Sequence, residues 1–144
     1  MIYEITDDGK VIITGCNKDA SGELVIPSDI AGYSVFGIGG DGFNDCDKLT
    51  SIVVSEGILY IENGTFHRLK SLRKITLPST LIELGSYAFM ECNALKEVHI
   101  ANLNFYFRTI KSLDLSDEVY LPGGTFPCAA DRYRCCGGSC AIRW

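Results

Sequence analysis

The residues best equipped for chemistry in this 144-residue chain are seven cysteines and two histidines. Four of the cysteines crowd one end as Cys128-x6-Cys135-Cys136-x3-Cys140, while Cys16, Cys46 and Cys92 are scattered through the body. Three chemistries compete for the cluster. Clustered thiols suit a small disulfide-stapled segment in an oxidising compartment, and four cysteines allow three pairings. Four thiolates can also hold zinc, but only Cys136-x3-Cys140 falls within ligand spacing. The third account is a capping tail of reduced thiols, in which exposure favours some pairing or burial. Capping with one disulfide fits best, so Cys128, Cys135, Cys136 and Cys140 are disulfide candidates and no metal is expected. His67 and His99 are not paired at ligand spacing, and a lone histidine without an orienting acid is a poor base. No Gly-x-Ser-x-Gly elbow, phosphate-binding glycine loop or zinc-protease helix motif occurs. The chain is therefore expected to be no enzyme, with no catalytic residues and no cofactor.

What would position such residues is a repeat. The stretch from Leu84 to Ile100 has Phe89, Leu95, Val98 and Ile100 as its skeleton. Stepping back 23 residues gives Phe66, Leu72, Ile75 and Leu77; stepping back 23 more gives Phe43, Leu49, Ile52 and Val54. A period of this length signals stacked coils, each too small to bury its apolar face alone. The expected fold is a mainly β repeat solenoid, with Phe43, Phe66 and Phe89 forming one internal ladder and Leu49, Leu72 and Leu95 another. Cys46 and Cys92 share one register with Leu69 between them. Two coils apart means roughly 9.5 Å, too far for a disulfide, so they read as small apolar plugs.

Residues 1–26 read as an N-terminal β cap: Met1 to Thr6 alternates, Asp7-Asp8-Gly9 signals a turn, and Val11 to Thr14 returns. Residues 27–122 form the solenoid. Between Ile30 and Ile38 the first repeat holds five residues more than the third does between Leu81 and Leu84, so 31–37 is expected to bulge from the surface. Gly39 and Gly85 are expected to permit tight bends. Glu118-Val119-Tyr120-Leu121-Pro122 looks like a worn fourth strand. After Gly123-Gly124 the composition changes, and 123–144 is a cysteine-rich tail.

Composition excludes several functions. Hydrophobic residues are 47% and charged residues 22% of the chain, and the net charge of −5 argues against nucleic acid. No apolar run approaches the roughly 18 residues of a membrane span, so no membrane insertion is expected. Met1-Ile2-Tyr3-Glu4 shows no basic start, long apolar segment or small-residue cleavage site. That opening fits a cytoplasmic protein, or a segment separated from its signal.

Strand alternation identifies a candidate binding face. If Ile52/Val54, Ile75/Leu77 and Val98/Ile100 point inward, one outward column is Val53, Thr76, His99 and Tyr120. Beside it runs Ser51, Lys74, Glu97 and Glu118. A rigid sheet preorganises such a strip for binding at low entropic cost.

The unit Ile/Leu-Gly-x-x-x-Phe-x-x-Cys-x-x-Leu-x-x-Ile-x-Ile/Leu-Pro stands here as Ile38-Gly39, Phe43, Cys46, Leu49, Ile52, Val54, and as Leu84-Gly85, Phe89, Cys92, Leu95, Val98, Ile100. It resembles the BspA-type (treponeme-type) leucine-rich repeat over roughly residues 10–122. The resemblance implies a short solenoid belonging to bacterial surface or secreted proteins, one that binds a host or bacterial protein. The expected function is non-enzymatic protein–protein interaction, in adhesion at the cell surface, through the sheet face. The alternative is a repeat scaffold that carries the cysteine-rich peptide 125–144 to a modifying or processing enzyme. Residues 103–144 are expected either to cover the open C-terminal edge of the stack or to leave it for self-association.

Overall fold

The computed structural model describes residues 1–100 and the backbone of three further strands, at 119–122, 133–136 and 139–142. A strand of two to six residues has little stability alone, so each must be held by neighbours on both sides. The chain solves this with two sheets whose coil-to-coil pairings are parallel, one strand per coil in each, and no helix occurs among the described residues. The hairpin β1 (Ile2–Ile5) and β2 (Val11–Gly15) turns at Gly9, whose φ is +75°. From β2 the chain crosses to β3 (Gly22–Ile26), makes a short hairpin of β4 (Asp29–Ile30) with the start of β5 (Tyr33–Gly42), and crosses again to β6 (Leu49–Val54). The strands β7 (Tyr60–Ile61), β8 (Lys74–Leu77), β9 (Glu83–Leu84) and β10 (Glu97–Ile100) complete about four coils. One sheet runs β1-β2-β5-β7-β9, with β4 attached to β5; the other runs β10-β8-β6-β3. A third, antiparallel sheet has the order β11 (Val119–Pro122), β13 (Ser139–Ile142), β12 (Tyr133–Cys136), and β11 lies beside β10.

The 23-residue period becomes the register of the second sheet: Ser51 lies opposite Lys74, which lies opposite Glu97, and Ile52, Ile75 and Val98 follow in step. The interior between the sheets is one continuous apolar core. Phe43, Phe66 and Phe89 are fully buried in a ladder whose ring centroids are 5.1 and 5.7 Å apart. Leu49, Leu72 and Leu95 stack likewise in the core. Such aromatic pairs add about 0.5–1.5 kcal/mol each beyond their buried area.

The inserted residues differ from a simple surface bulge. Ala31 and Gly32, with φ of 55° and 84°, turn β4 back onto β5, so Asp29 faces Ser34 and Ile30 faces Tyr33. Positive φ at both central residues is the mark of a type I′ hairpin turn. The turn is exposed, but Val35 is buried and pairs with Val11. Part of the insertion therefore extends the core. Gly85 also serves otherwise than expected: a Cβ there would strike the Glu62–Asn63 backbone of the coil below, so the position demands close approach between coils rather than a bend.

Candidate functional site

The exposed side of the β3-β6-β8-β10 sheet brings together the residues the alternation singled out. Val53, Thr76 and His99 stand in one row and Ser51, Lys74 and Glu97 in the next, each pair directly opposite in register. All six are half-buried or exposed, while Ile52, Val54, Ile75, Leu77, Val98 and Ile100 point into the core. The rows extend further than the sequence indicated. Val25 pairs with Val53 and Glu23 with Ser51, so β3 adds a fourth rung, on which Val25 is 54% exposed. Its membership was hidden because 28 residues, not 23, separate Ile26 from Val54; the hairpin insertion accounts for the excess. At the other end, Tyr120 is carried on β11 beside β10. The Tyr120 side chain and all of Glu118 lie outside the described residues.

Besides Glu23 on β3, the face carries a cluster of charge on β8 and β10. The Glu97 carboxylate lies 3.7 Å from the Lys74 ammonium and 3.4 Å from Nε2 of His99. At this exposure the pairs contribute little to stability, but they fix three polar side chains in a small patch beside the apolar Val25–Val53 rungs. On the outer side of the other sheet, Phe36 and Tyr60 pack ring to ring at 4.9 Å, with the Lys10 ammonium 4.5 Å above Phe36.

Between the sheets the corners repeat as faithfully as the strands. Lys70 pairs with Asp47 at 3.0 Å and Arg68 with Glu91 at 2.9 Å. Glu56 accepts the Ser79 amide at 2.9 Å and its hydroxyl at 2.7 Å, and these bonds hold the Glu56 carboxyl below its usual range. His67 sits in the corner after Phe66, with Nδ1 2.8 Å from the Gly64 carbonyl oxygen, an internal contact that leaves it no part in the sheet face. Among the described residues, no three His, Cys, Asp or Glu side chains gather as a metal site, and no helix is long and apolar enough to cross a membrane.

The body cysteines divide in a way the repeat register did not reveal. Cys46 and Cys92 are buried in equivalent positions with Leu69 between them. The Cys92 thiol donates to the Phe66 carbonyl oxygen at 3.0 Å, and burial pushes its pKa up to about 11. Cys46 instead faces a second thiol: its Sγ lies 3.1 Å from Sγ of Cys16. The only sequence signal for this pairing is indirect, in Gly15 and Gly42. A Cβ on Gly42 would overlap the Thr14 carbonyl, and one on Gly15 would lie 2.7 Å from Gly42 Cα. Two glycines let the backbones touch, and that contact brings Cys16 to Cys46. In the tail, the strand register sets Cys135 opposite Cys140; Cys128, the tail side chains and the carrier reading lie outside the described residues.

Parallel sheets joined coil by coil around a repeating apolar ladder define a leucine-rich-repeat solenoid. The model of the BspA type leucine rich repeat region matches residues 30–121, in 6 copies, and the chain belongs to this family. A crystal structure of a leucine rich cell surface protein from Faecalibacterium prausnitzii A2-165 is similar in fold, with a TM-score of 0.59 and 24% identity over 68% of this chain. The match spans 25% of that protein, so the aligned part of the present chain corresponds to about a quarter of its length. A leucine rich repeat protein of T. pallidum aligns at 21% identity and a TM-score of 0.36, over 68% of this chain and 67% of that one. No curated protein matches the sequence.

Proposed function

We propose that the chain is a non-enzymatic binding module whose ligand is another protein, at a bacterial surface or on a host, held by the exposed side of the β3-β6-β8-β10 sheet. The observation that carries this reading is the face itself: Val25, Val53, Thr76 and His99 form one rigid, partly apolar row, flanked by the Lys74–Glu97–His99 charge patch. β-Branched side chains on stacked strands lose little conformational freedom when covered, which favours binding. The family and the cell surface protein of like fold support a scaffold role. With this reading go a cap at 1–26, a solenoid at 27–122 and a tail at 123–144, the face continuing toward Glu118 and Tyr120.

The test is a face blocked by two bulky charges. Proteins captured from bacterial-surface and host-membrane extracts by the immobilised chain are identified, purified and titrated against wild type and a V53R/T76R double variant. Binding through this sheet predicts at least a tenfold loss for the double variant, with its thermal unfolding unchanged. A partner that binds both proteins equally would remove the face from consideration.

A further inference from the structure

We propose that Cys16 and Cys46 form an oxidisable pair whose disulfide locks the first coil of the solenoid onto the second. The two Sγ atoms are 3.1 Å apart, and the residues are 2% and 0% exposed. Closing to a covalent bond of about 2.05 Å requires a shift of roughly 1 Å. The neighbouring backbones are already held together. The Cys16 amide donates to the Gly42 carbonyl at 3.4 Å, and Gly15 and Gly42 are in contact. The loop that follows Cys16 is strapped to the corner containing Cys46 by three polar contacts. Lys18 donates to the Asn44 carbonyl, Lys48 pairs with Asp19 at 2.9 Å, and the Gly22 amide donates to the Lys48 carbonyl at 3.0 Å.

The position has a physical logic. Every coil from the second onward is covered by a predecessor, but the first has only β1 beside it, all four of whose residues are exposed. The end of a stack is where a solenoid frays. A cross-link between residues 30 positions apart removes disorder from the opened state and so favours the closed one. Cys92 makes the contrast. It occupies the same register as Cys46, yet its thiol meets a backbone carbonyl and, among the described residues, no second sulfur.

The chemistry is two successive thiol–disulfide exchanges with an external disulfide, either a small molecule such as oxidised glutathione or a protein disulfide. One cysteine thiolate attacks the external disulfide, forming a mixed disulfide and expelling a thiolate, which takes up a proton. The second cysteine, as thiolate, attacks the protein sulfur of that mixed disulfide and expels the other half. The chain loses two electrons and two protons; the oxidant becomes two thiols. In the closed structure both sulfurs are shielded, and burial together with the neighbouring Cys46 thiol pushes the Cys16 pKa up to about 12. Exchange therefore proceeds during folding or through opening of the loop at 17–21, whose Asn17, Lys18 and Asp19 are exposed.

The full chain is refolded in a buffer of oxidised and reduced glutathione, quenched by alkylation and digested with trypsin without reduction. Cleavage after Lys10, Lys18 and Lys48 isolates Cys16 in fragment 11–18 and Cys46 in fragment 19–48. The expected product is these two fragments joined, with a Tm roughly 5–15 °C above that of the reduced protein. That difference should shrink in both C16A and C46A by the part this bond supplies. Alkyl groups on both cysteines of the wild type, or either one joined to a tail cysteine, would overturn the proposal without reliance on any variant. So would a difference of the same size in the two variants.

Discussion

The third and fourth coils and the junction of the first with the second are built from the same parts by different rules. In the later coils key backbone contacts are the previous ones displaced by 23 residues. The Arg73 amide donates to Thr50 and the Lys96 amide to Arg73; the Glu62 amide donates to Ile38 and the Gly85 amide to Ile61, both members of each pair shifted by 23. At the junction the outward rows continue onto β3, but the rest of the pattern breaks. β2 pairs with β5 through two register shifts, β3 pairs with β6 through another, a hairpin is inserted, two glycines touch, and two thiols meet. A regular coil is stabilised by its neighbours on both sides, and its interface is reused. A first coil has no such symmetry to draw on. Its stability must come from contacts specific to that place, and the difference between the two regions can be tested by perturbing each.

The largest effect should come from the regular region. Phe66 stands between Phe43 and Phe89 and touches both ladder neighbours. Truncation to alanine removes two aromatic contacts and leaves a cavity that neighbouring coils cannot fill, at a cost of about 3–5 kcal/mol. Phe89→Ala, on a rung with one described aromatic neighbour, should cost less. Urea unfolding of both variants would measure this; equal losses would mean that the ladder is not the shared interface it looks to be.

At the junction, Gly42→Ala should cost about 1–3 kcal/mol, as overpacking does. The added Cβ meets the Thr14 carbonyl and the Gly15 Cα, both backbone, so relief requires β2 and β5 to part. The loss should be local. Hydrogen exchange would quicken at 11–22 and leave Ile75 and Val98 protected, whereas uniform quickening would show the junction and the regular coils to be one cooperative unit.

This difference also explains what the sequence discloses. The Phe43/Phe66/Phe89 and Leu49/Leu72/Leu95 ladders could be read in advance because a stacked coil must present the same side chain at the same place. The outward rows from Ser51 to His99 followed from alternation alone. Val25 and Glu23 belong to those rows but could not be placed, since an irregular first repeat breaks the count. The Cys16–Cys46 contact spans 30 residues, no multiple of the period, and depends on backbone approach that only the folded junction creates. Corner conformation was hidden for another reason. Asp45, Arg68 and Glu91 adopt φ of 65°, 61° and 60°, at 23-residue spacing, yet none is the glycine that would announce a left-handed residue.

Alkaline pH offers a third perturbation, read in the reduced protein. The Cys92 thiol is raised by burial from 9.0 to about 11. Between those values the unfolded chain releases a proton that the folded chain retains. Stability is therefore fully present below pH 9 and falls as pH rises toward 11. From pH 8.5 to 10.5 the wild type should lose roughly 1–2 kcal/mol more than C92A, which has no thiol to ionise there. Chemical unfolding at the two pH values would show it; parallel losses would place Cys92 in a wetter setting than the core.

The smallest effect separates two coils of the regular region itself. Gly64 and Tyr87 occupy one corner position 23 residues apart, with φ of 66° and 59°. A Cβ on Gly64 would lie 3.6 Å from the nearest atom, Nδ1 of His67, so Gly64→Ala meets no clash and tests conformation alone. Left-handed backbone disfavours a side chain by about 1 kcal/mol, which should be the loss in that variant. Tyr87 already bears this strain and is 62% exposed, so Tyr87→Gly should gain up to about 0.5 kcal/mol once glycine's extra freedom in the unfolded chain is subtracted. Opposite signs at one register would show that the corner conformation belongs to the stack and is imposed on whichever residue falls there. A loss at Tyr87 as well would mean that its ring is held by something beyond its own coil, and the end of the solenoid would then be covered at that corner.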